Sequence, residues 1–172
     1  EEIVRIHGYG HLKAQLPLSA NPLLRPDRER EIVQRLKNQL VADGFNEVIN
    51  YVFQGPEENG LVDPQPPLSL KNPLGKDFSV LKNSLLAGLL KNTSFNANQA
   101  WDRVTLFEVG KVFGRREGKI VETRQLAVSA WGLEQKKDWR CAAQAFDFPS
   151  FKSRLALLGK RLRLDFVFKK HA

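Results

Sequence analysis

The sequence predicts an α+β fold, an antiparallel sheet flanked by helices, and three observations predict it. Residues 104–113, Val-Thr-Leu-Phe-Glu-Val-Gly-Lys-Val-Phe, have the β-branched and aromatic character of a strand. Their apolar side chains occupy both parities: Val104, Leu106 and Val112 on one, Phe107, Val109 and Phe113 on the other. A strand apolar on both faces is covered on both, so it lies inside a sheet. A second strand-like run at 125–132 follows a charged, glycine-bearing stretch, which predicts an antiparallel hairpin with a long basic tip. Runs of helical periodicity stand before and after the pair.

In chain order, residues 1–17 read as the end of an element. Ile3, Val4 and Ile6 are apolar, Gly8 can cap a short helix, and Gly10 and Pro17 mark a turn and exit. We expect 1–17 to be the tail of a preceding domain and 18–172 to be one core domain. A linker at 18–24 is punctuated by Pro22. A helix follows over 26–43. Pro26 suits its first turn, and Asp27, Glu29 and Glu31 complement its dipole. Ile32, Val33, Leu36, Leu40 and Val41 form its apolar face, and Gly44 closes it.

Residues 45–53 read as a strand with Phe45, Ile49, Tyr51 and Phe53 on one parity. Residues 54–67 are a proline-rich loop, 68–71 a short strand and 72–75 a turn. A second helix starts near Ser84, with Leu85, Leu86, Leu89 and Leu90 as its core face. Within the central strand, Gly110 marks a bulge or a close backbone approach. After a polar turn at 134–138, Phe146-Asp147-Phe148 leads into a third helix. Leu155, Leu157 and Leu158 are its expected core and Gly159 its stop. Residues 164–168 alternate as a strand. There is no internal repeat or low-complexity segment.

Composition narrows the class. At 172 residues, 42% hydrophobic and 27% charged, the chain has the length and balance of one soluble globular domain. No apolar run approaches the roughly 20 residues that span a bilayer. The first residues lack the layout of a signal peptide. Cys141 is the sole cysteine, which excludes an internal disulfide and points to a reducing, cytoplasmic location. We read it as a buried or half-buried small residue. The net charge of +8 suits a polyanion such as RNA, although the Lys and Arg residues are scattered. The chain holds no Met, so it is expected to be processed or a fragment of something longer.

Several chemistries lack their residues. There is no G-x-x-x-x-G-K-[ST], no G-x-G-x-x-G and no G-x-S-x-G. His7 and His11 have a spacing that would suit metal ligands on a helix, but Gly8 and Gly10 argue against one there.

Four ordered pieces carry a resemblance. They are Glu2-Ile-Val-Arg-Ile-His-Gly-Tyr9, Gly44-Phe-Asn-Glu-Val-Ile-Asn-Tyr-Val-Phe53, Asn72-Pro73 with Ser79-Val-Leu-Lys-Asn-Ser-Leu-Leu-Ala-Gly-Leu-Leu90, and Leu106-Phe-Glu-Val-Gly-Lys-Val-Phe113. Phe146-Asp147-Phe148 with Lys152 adds a weaker match. Together they resemble the β subunit of bacterial-type phenylalanyl-tRNA synthetase across nearly the whole chain. The resemblance implies a class II synthetase-like core, incomplete at its C-terminal end, that is a degenerate copy of the catalytic domain in the α subunit. It implies the α subunit and tRNA(Phe) as partners. No cofactor is implied for this chain, ATP and Mg2+ belonging to the complete enzyme.

The resemblance also assigns roles. The helix over 26–43 and the strand after it look like the first class II motif, which builds a subunit interface. Ile32, Leu36, Leu40, Phe45 and Ile49 are therefore the expected interface residues. The hairpin looks like the second motif, whose active form sets an Arg directly after the aromatic ending its first strand and a Glu two residues later. Here those positions are Gly114 and Arg116, with Arg115 and Glu117 out of register. A loop would absorb such a slip, whereas a strand would reverse the face used. The glycine-rich third motif is not among these residues. Lys82, Asn83 and Ala87 stand where the family tends to have Arg, Thr and Pro.

The expected function is a non-catalytic core that packs on the α subunit. The alternatives are a residually active adenylate-forming domain and a stand-alone basic RNA-binding module. Glu108 is either a substrate carboxylate or the partner of a neighbouring base. Arg115, Arg116 and Lys119 are either RNA contacts or a solvated hairpin tip.

Overall fold

The computed structural model describes residues 1–15, 27–60, 62 and 65–169. The expected linker at 18–24 and Pro26 lie outside them. Helix α1 (Glu2–His7) ends at Gly8, whose φ of 96° stops the helix while its N–H donates to Val4 O. A 3-10 turn over Tyr9–His11 follows, and no residue of either element is buried.

Helix α2 (Arg28–Ala42) begins where the Asp27 carboxylate accepts from the backbone N–H groups of Glu29 and Arg30, at 3.1 and 3.3 Å. That cap supplies acceptors the first helical turn lacks. The helix ends at Asp43, and Gly44, at φ 85°, turns the chain into Phe45.

Residues 45–53 do not form one strand. Strand β1 (Asn46–Glu47) pairs in parallel with Leu106 and Phe107, and β2 (Phe53–Gln54) belongs to a separate sheet. Between them the polar Asn50 is drawn inward by the Glu108 carboxylate at 2.8 Å. Ile49 and Tyr51 are left exposed. A period-2 reading of apolar residues misses this, because a buried charge outcompetes two apolar side chains for the inward position.

Helix α3 (Pro56–Gly60) forms inside the stretch read as loop. Strand β3 (Leu68–Ser69) falls where a short strand was expected. It and β2 flank β4 (Val80–Leu81) in a small antiparallel sheet of order β2-β4-β3.

Strands β5 (Arg103–Arg116) and β6 (Lys119–Gln135) dominate the larger sheet. Their ladder runs without a slip from Arg103↔Gly132 to Arg116↔Lys119. The basic tip is therefore not a long loop. Only Glu117 and Gly118, at φ 52° and 77°, form the turn. Two consecutive positive φ values make a turn of the I′ kind, whose twist matches that of the flanking strands. The sheet order is β1-β5-β6-β7, with β7 at Gln144–Ala145. Because β1 is parallel to β5, the sheet is mixed rather than purely antiparallel. Glu134 and Gln135, expected in a turn, extend β6 to meet β7.

Both faces of the hairpin are covered at its base, as the two-sided apolar pattern implies, whereas residues 115–120 at its tip are exposed. Helix α4 (Leu86–Asn98) covers one face, where Leu85 and Leu89 pack on Val104, Leu106, Val112 and Ala127. On the other face Leu40 and Phe45 meet Phe107 and Leu158. Only two of the four expected leucines of α4 are core. Leu86 and Leu90 are exposed, because the helix touches the sheet along a narrower stripe than its leucines span.

Helix α5 (Phe148–Leu162) starts with a capping box between Asp147 and Ser150. Gly159 is not its stop. It is buried inside the helix, and the chain turns at Arg163, φ 56°. Residues 164–168 are not a strand. Leu164 N donates to Gly159 O at 2.9 Å, the Phe166 ring lies against Gly159, and Lys152 Nζ sits 5.1 Å over the Phe168 ring. The apolar alternation there reflects an extended tail laid back along α5, and the missing Cβ of Gly159 makes room for it. Leu157, expected in the core, points away and is exposed.

Candidate functional site

Alternate side chains of a strand point to opposite faces. On β5 the even positions therefore share the α4 face, and Glu108 is among them. It is 2% exposed and meets Lys82, 3% exposed, with Nζ 2.7 Å from Oε1. Asn50 completes the group. Its Nδ2 donates to Glu108 Oε2 at 2.8 Å, its backbone N–H to Oε1 at 3.4 Å, and its carbonyl accepts from Lys82 Nζ at 3.4 Å. Asn92 of α4 donates to Asn50 Oδ1 at 2.8 Å.

Two glycines make this packing possible. A Cβ on Gly110 would sit 3.4 Å from Glu108 Oε1 and 3.5 Å from Lys82 Nζ, while one on Gly88 would sit 2.9 Å from Asn50 Cγ. Gly110 is thus the site of a close approach and not of a bulge, since the ladder passes it in register. Lys82 also ties the sheets together: its N–H donates to Val52 O and its carbonyl accepts from Phe113 N–H, both at 2.9 Å. Glu108 is committed to a lysine and two amide donors, so no ionic group of this trio is left free to meet a substrate.

Beyond Phe113 the ladder continues, and this decides which groups face which way. Gly114 and Arg116 share the Glu108 face; Arg115 points to the opposite one. A slip would need a loop to absorb it, and the turn begins only at Glu117. At the position after the aromatic, the Glu108 face therefore offers no side chain. The next cation on that face is Arg116, two residues on. Arg115, Arg116 and Lys119 are all exposed, and none has an ion-pair partner among the described residues. Among the described residues no group of three or more His, Cys, Asp or Glu is placed to hold a metal ion. His7 and His11 face each other with ring centroids 4.9 Å apart.

The five expected interface residues separate. Leu40 and Phe45 are enclosed in the chain's own core, and Leu36 packs against the same cluster. Ile32 lies partly open, and Ile49 is 88% exposed. Cys141 is exposed rather than buried, in a turn where its N–H and that of Arg140 donate to Asp138 Oδ1. Sequence reasoning missed the role of Asn50, for which a polar residue at the centre of an apolar run was the only signal.

Residues 12–172 match the family model of the phenylalanyl-tRNA synthetase β chain CLM domain. The phenylalanine–tRNA ligase β subunit of Nitrosospira multiformis is 33% identical over 159 residues, 92% of this chain and 20% of that protein. That of Syntrophus aciditrophicus is 33% identical over 172 residues, 95% of this chain and 21% of its own length. That of Photorhabdus laumondii is 34% identical over 175 residues, 96% of this chain and 22% of its own. The chain thus spans about a fifth of the length of these curated relatives.

Two solved structures share the fold. The pyrrolysyl tRNA synthetase PylSc of Desulfitobacterium hafniense superposes with a TM-score of 0.58 at 14% identity, over 80% of this chain and 46% of the other. The ATP phosphoribosyltransferase regulatory subunit/histidyl-tRNA synthetase of Bacillus halodurans C gives 0.59 at 13% identity, over 89% and 40%. The architecture is a synthetase-like α+β fold.

Proposed function

This chain belongs to the phenylalanyl-tRNA synthetase β-chain family, and on that premise we propose that it is a non-catalytic synthetase-like core. It packs on the catalytic α subunit, supports aminoacylation of tRNA(Phe), and does not itself form the adenylate. Residues 1–17 are the tail of a preceding domain and the rest is this core. The reading includes a cytoplasmic location, as the lone cysteine suggests.

One observation carries the reading. The uninterrupted β5–β6 register sets Gly114, not an arginine, on the Glu108 face directly after Phe113. Activation of an amino acid needs the α-phosphate charge stabilised by a positioned cation. Glycine supplies neither charge nor a side-chain donor. The buried cation on that face, Lys82, is already bound to Glu108. ATP and Mg2+ are accordingly cofactors of the complete enzyme and are not held by this chain. Phenylalanine-dependent pyrophosphate exchange tests it: the complete β chain alone stays at background, and the αβ enzyme is active. Exchange by the β chain alone that vanishes in Arg115→Ala refutes the proposal.

Packing on the α subunit uses the open side of α2 and the segment after β1, with Ile32 and Ile49 as contacts. Ile49→Asp leaves the core intact, because Ile49 is exposed, and weakens co-purification of the α subunit. Unchanged co-purification counts against this surface. The tip residues Arg115, Arg116 and Lys119 contact tRNA through phosphates. Charge reversal at each lowers the slope of binding against salt by about one, and an unchanged slope leaves them a solvated tip.

A further inference from the structure

On the outer side of the Asn50 network lies an open cleft of about 630 Å³, between α4 and the β2–α3 segment. Tyr51, Phe53, Phe78 and Phe95 line it and are all exposed; Tyr51 and Phe78 stand edge to face, with centroids 6.3 Å apart and planes at 83°. Two acceptors in its wall lack donors. Asp77 has no hydrogen-bond or ion-pair partner among the described residues. Gln54 is 5% exposed, and its Oε1 is buried without a partner. The cleft's other two charges, Glu58 and Lys91, pair with each other at 3.0 Å, which leaves Asp77 as the net charge. On a chain of net charge +8, this is a locally negative, aromatic-walled site.

The geometry points to an arginine side chain as the occupant, presented by a segment of the α subunit; the inference deepens the proposed packing on that subunit and rests on it. A guanidinium carries five donors in a planar fork, enough for the Asp77 carboxylate and the Gln54 amide together. Its face stacks on aromatic rings and its charge is attracted to them. A buried amide acceptor left unmet is destabilising, so a donor entering the cleft gains more than one meeting a solvated acceptor. Arginine and aromatic residues are also the side chains enriched at protein interfaces. An RNA strand is disfavoured, because its phosphates would approach the carboxylates of Asp77 and Glu58.

The test uses the complete β chain produced together with the α subunit. A p-benzoylphenylalanine in place of Phe78 is illuminated in the complex, and the cross-linked peptide is identified by mass spectrometry. The expected product joins position 78 to an arginine-bearing segment of the α subunit. Asp77→Asn weakens α–β association on the order of tenfold, as loss of an interfacial charge partner does. Asp77→Glu restores it, and Lys76→Ala, on the neighbouring exposed side chain, leaves it unchanged. A cross-link to tRNA, a cross-link to a segment without arginine, or an unaltered Asp77→Asn complex overturns the inference. Co-purification of the α subunit without any cross-link at position 78 sinks this inference alone. Absence of the α subunit from the wild-type preparation sinks the packing proposal as well.

Discussion

Replacing Lys82 with methionine isolates what the buried pair contributes. Methionine keeps the unbranched apolar stem and removes only the ammonium. At the observed 2.7 Å, the attraction between two unit charges is about 6 kcal/mol at an effective dielectric constant near 20. Desolvating the two ions offsets most of that, so the pair as a whole contributes little net stability. Removing one partner is different. In Lys82→Met, Glu108 stays buried with only the two Asn50 donors at 2.8 and 3.4 Å. An uncompensated buried charge of this kind costs about 3–5 kcal/mol, a large share of the roughly 5–15 kcal/mol that holds a domain together. Urea unfolding followed by far-ultraviolet circular dichroism should therefore show the midpoint moving strongly downward with the slope unchanged. Glu108→Gln should also be costly, because it strands Lys82. The Lys82→Met/Glu108→Gln double variant should lose less than the two singles added, by about 2 kcal/mol or more. Strict additivity, or single losses below about 1 kcal/mol, would refute the reading of Lys82 and Glu108 as a sealed structural pair.

Four further outcomes follow from the same geometry. Gly132→Ala should abolish or severely impair folding, measured by thermal melting, since φ is +84° and the new Cβ would lie 2.1 Å from Asp102 O. Glu117→Asn should raise stability by about 0.5–1 kcal/mol in the same melts, because Glu117 occupies the first positive-φ position of the hairpin turn and asparagine tolerates it better. Amide exchange should be slowest at Leu106 and Glu108, whose N–H groups face β6 in the middle of the ladder, since Val48 N–H donates to Phe107 O and so sets the odd-numbered backbone groups of β5 toward the other side. Rapid exchange at these two would contradict an interior position. For Glu134, burial pushes the carboxyl up, but the Ser150 hydrogen bond and the Arg154 guanidinium outweigh it and hold it below the ordinary value of 4.5. A lowered folded-state value stabilises above that ordinary value and ceases to do so as pH falls through the folded one. The stability gap between the wild type and Arg154→Met should accordingly close as pH drops below 4.5, and a gap that persists would argue against the ion pair.

The sequence by itself determined the parts whose physics is local. The apolar residues on both parities of 104–113 dictated an interior strand. Helical periodicity and Gly44 placed α2, and the leucine run placed α4 within two residues of Ser84, although the cap position falls on Leu85, because periodic burial and dihedral preferences act within a few residues. The ordered pieces around Tyr9, Phe53, Leu90 and Phe113 were enough to bring the family into view. Only the tertiary structure decided what depends on partners distant along the chain. It showed that Asn50 leaves an apolar run to meet Glu108, 58 residues away, and so splits one expected strand into β1 and β2. It showed which leucines of α4 face the sheet, and that Gly159 is a notch for the returning tail rather than a helix stop. The face of Gly114 was fixed in the same way. Local sequence allowed either a loop or a strand at 114–116, and cross-strand pairing with Lys119, Ile120 and Val121 selected the strand. Pairing energy is gained only once both strands are present, so a reading of one stretch at a time does not contain it.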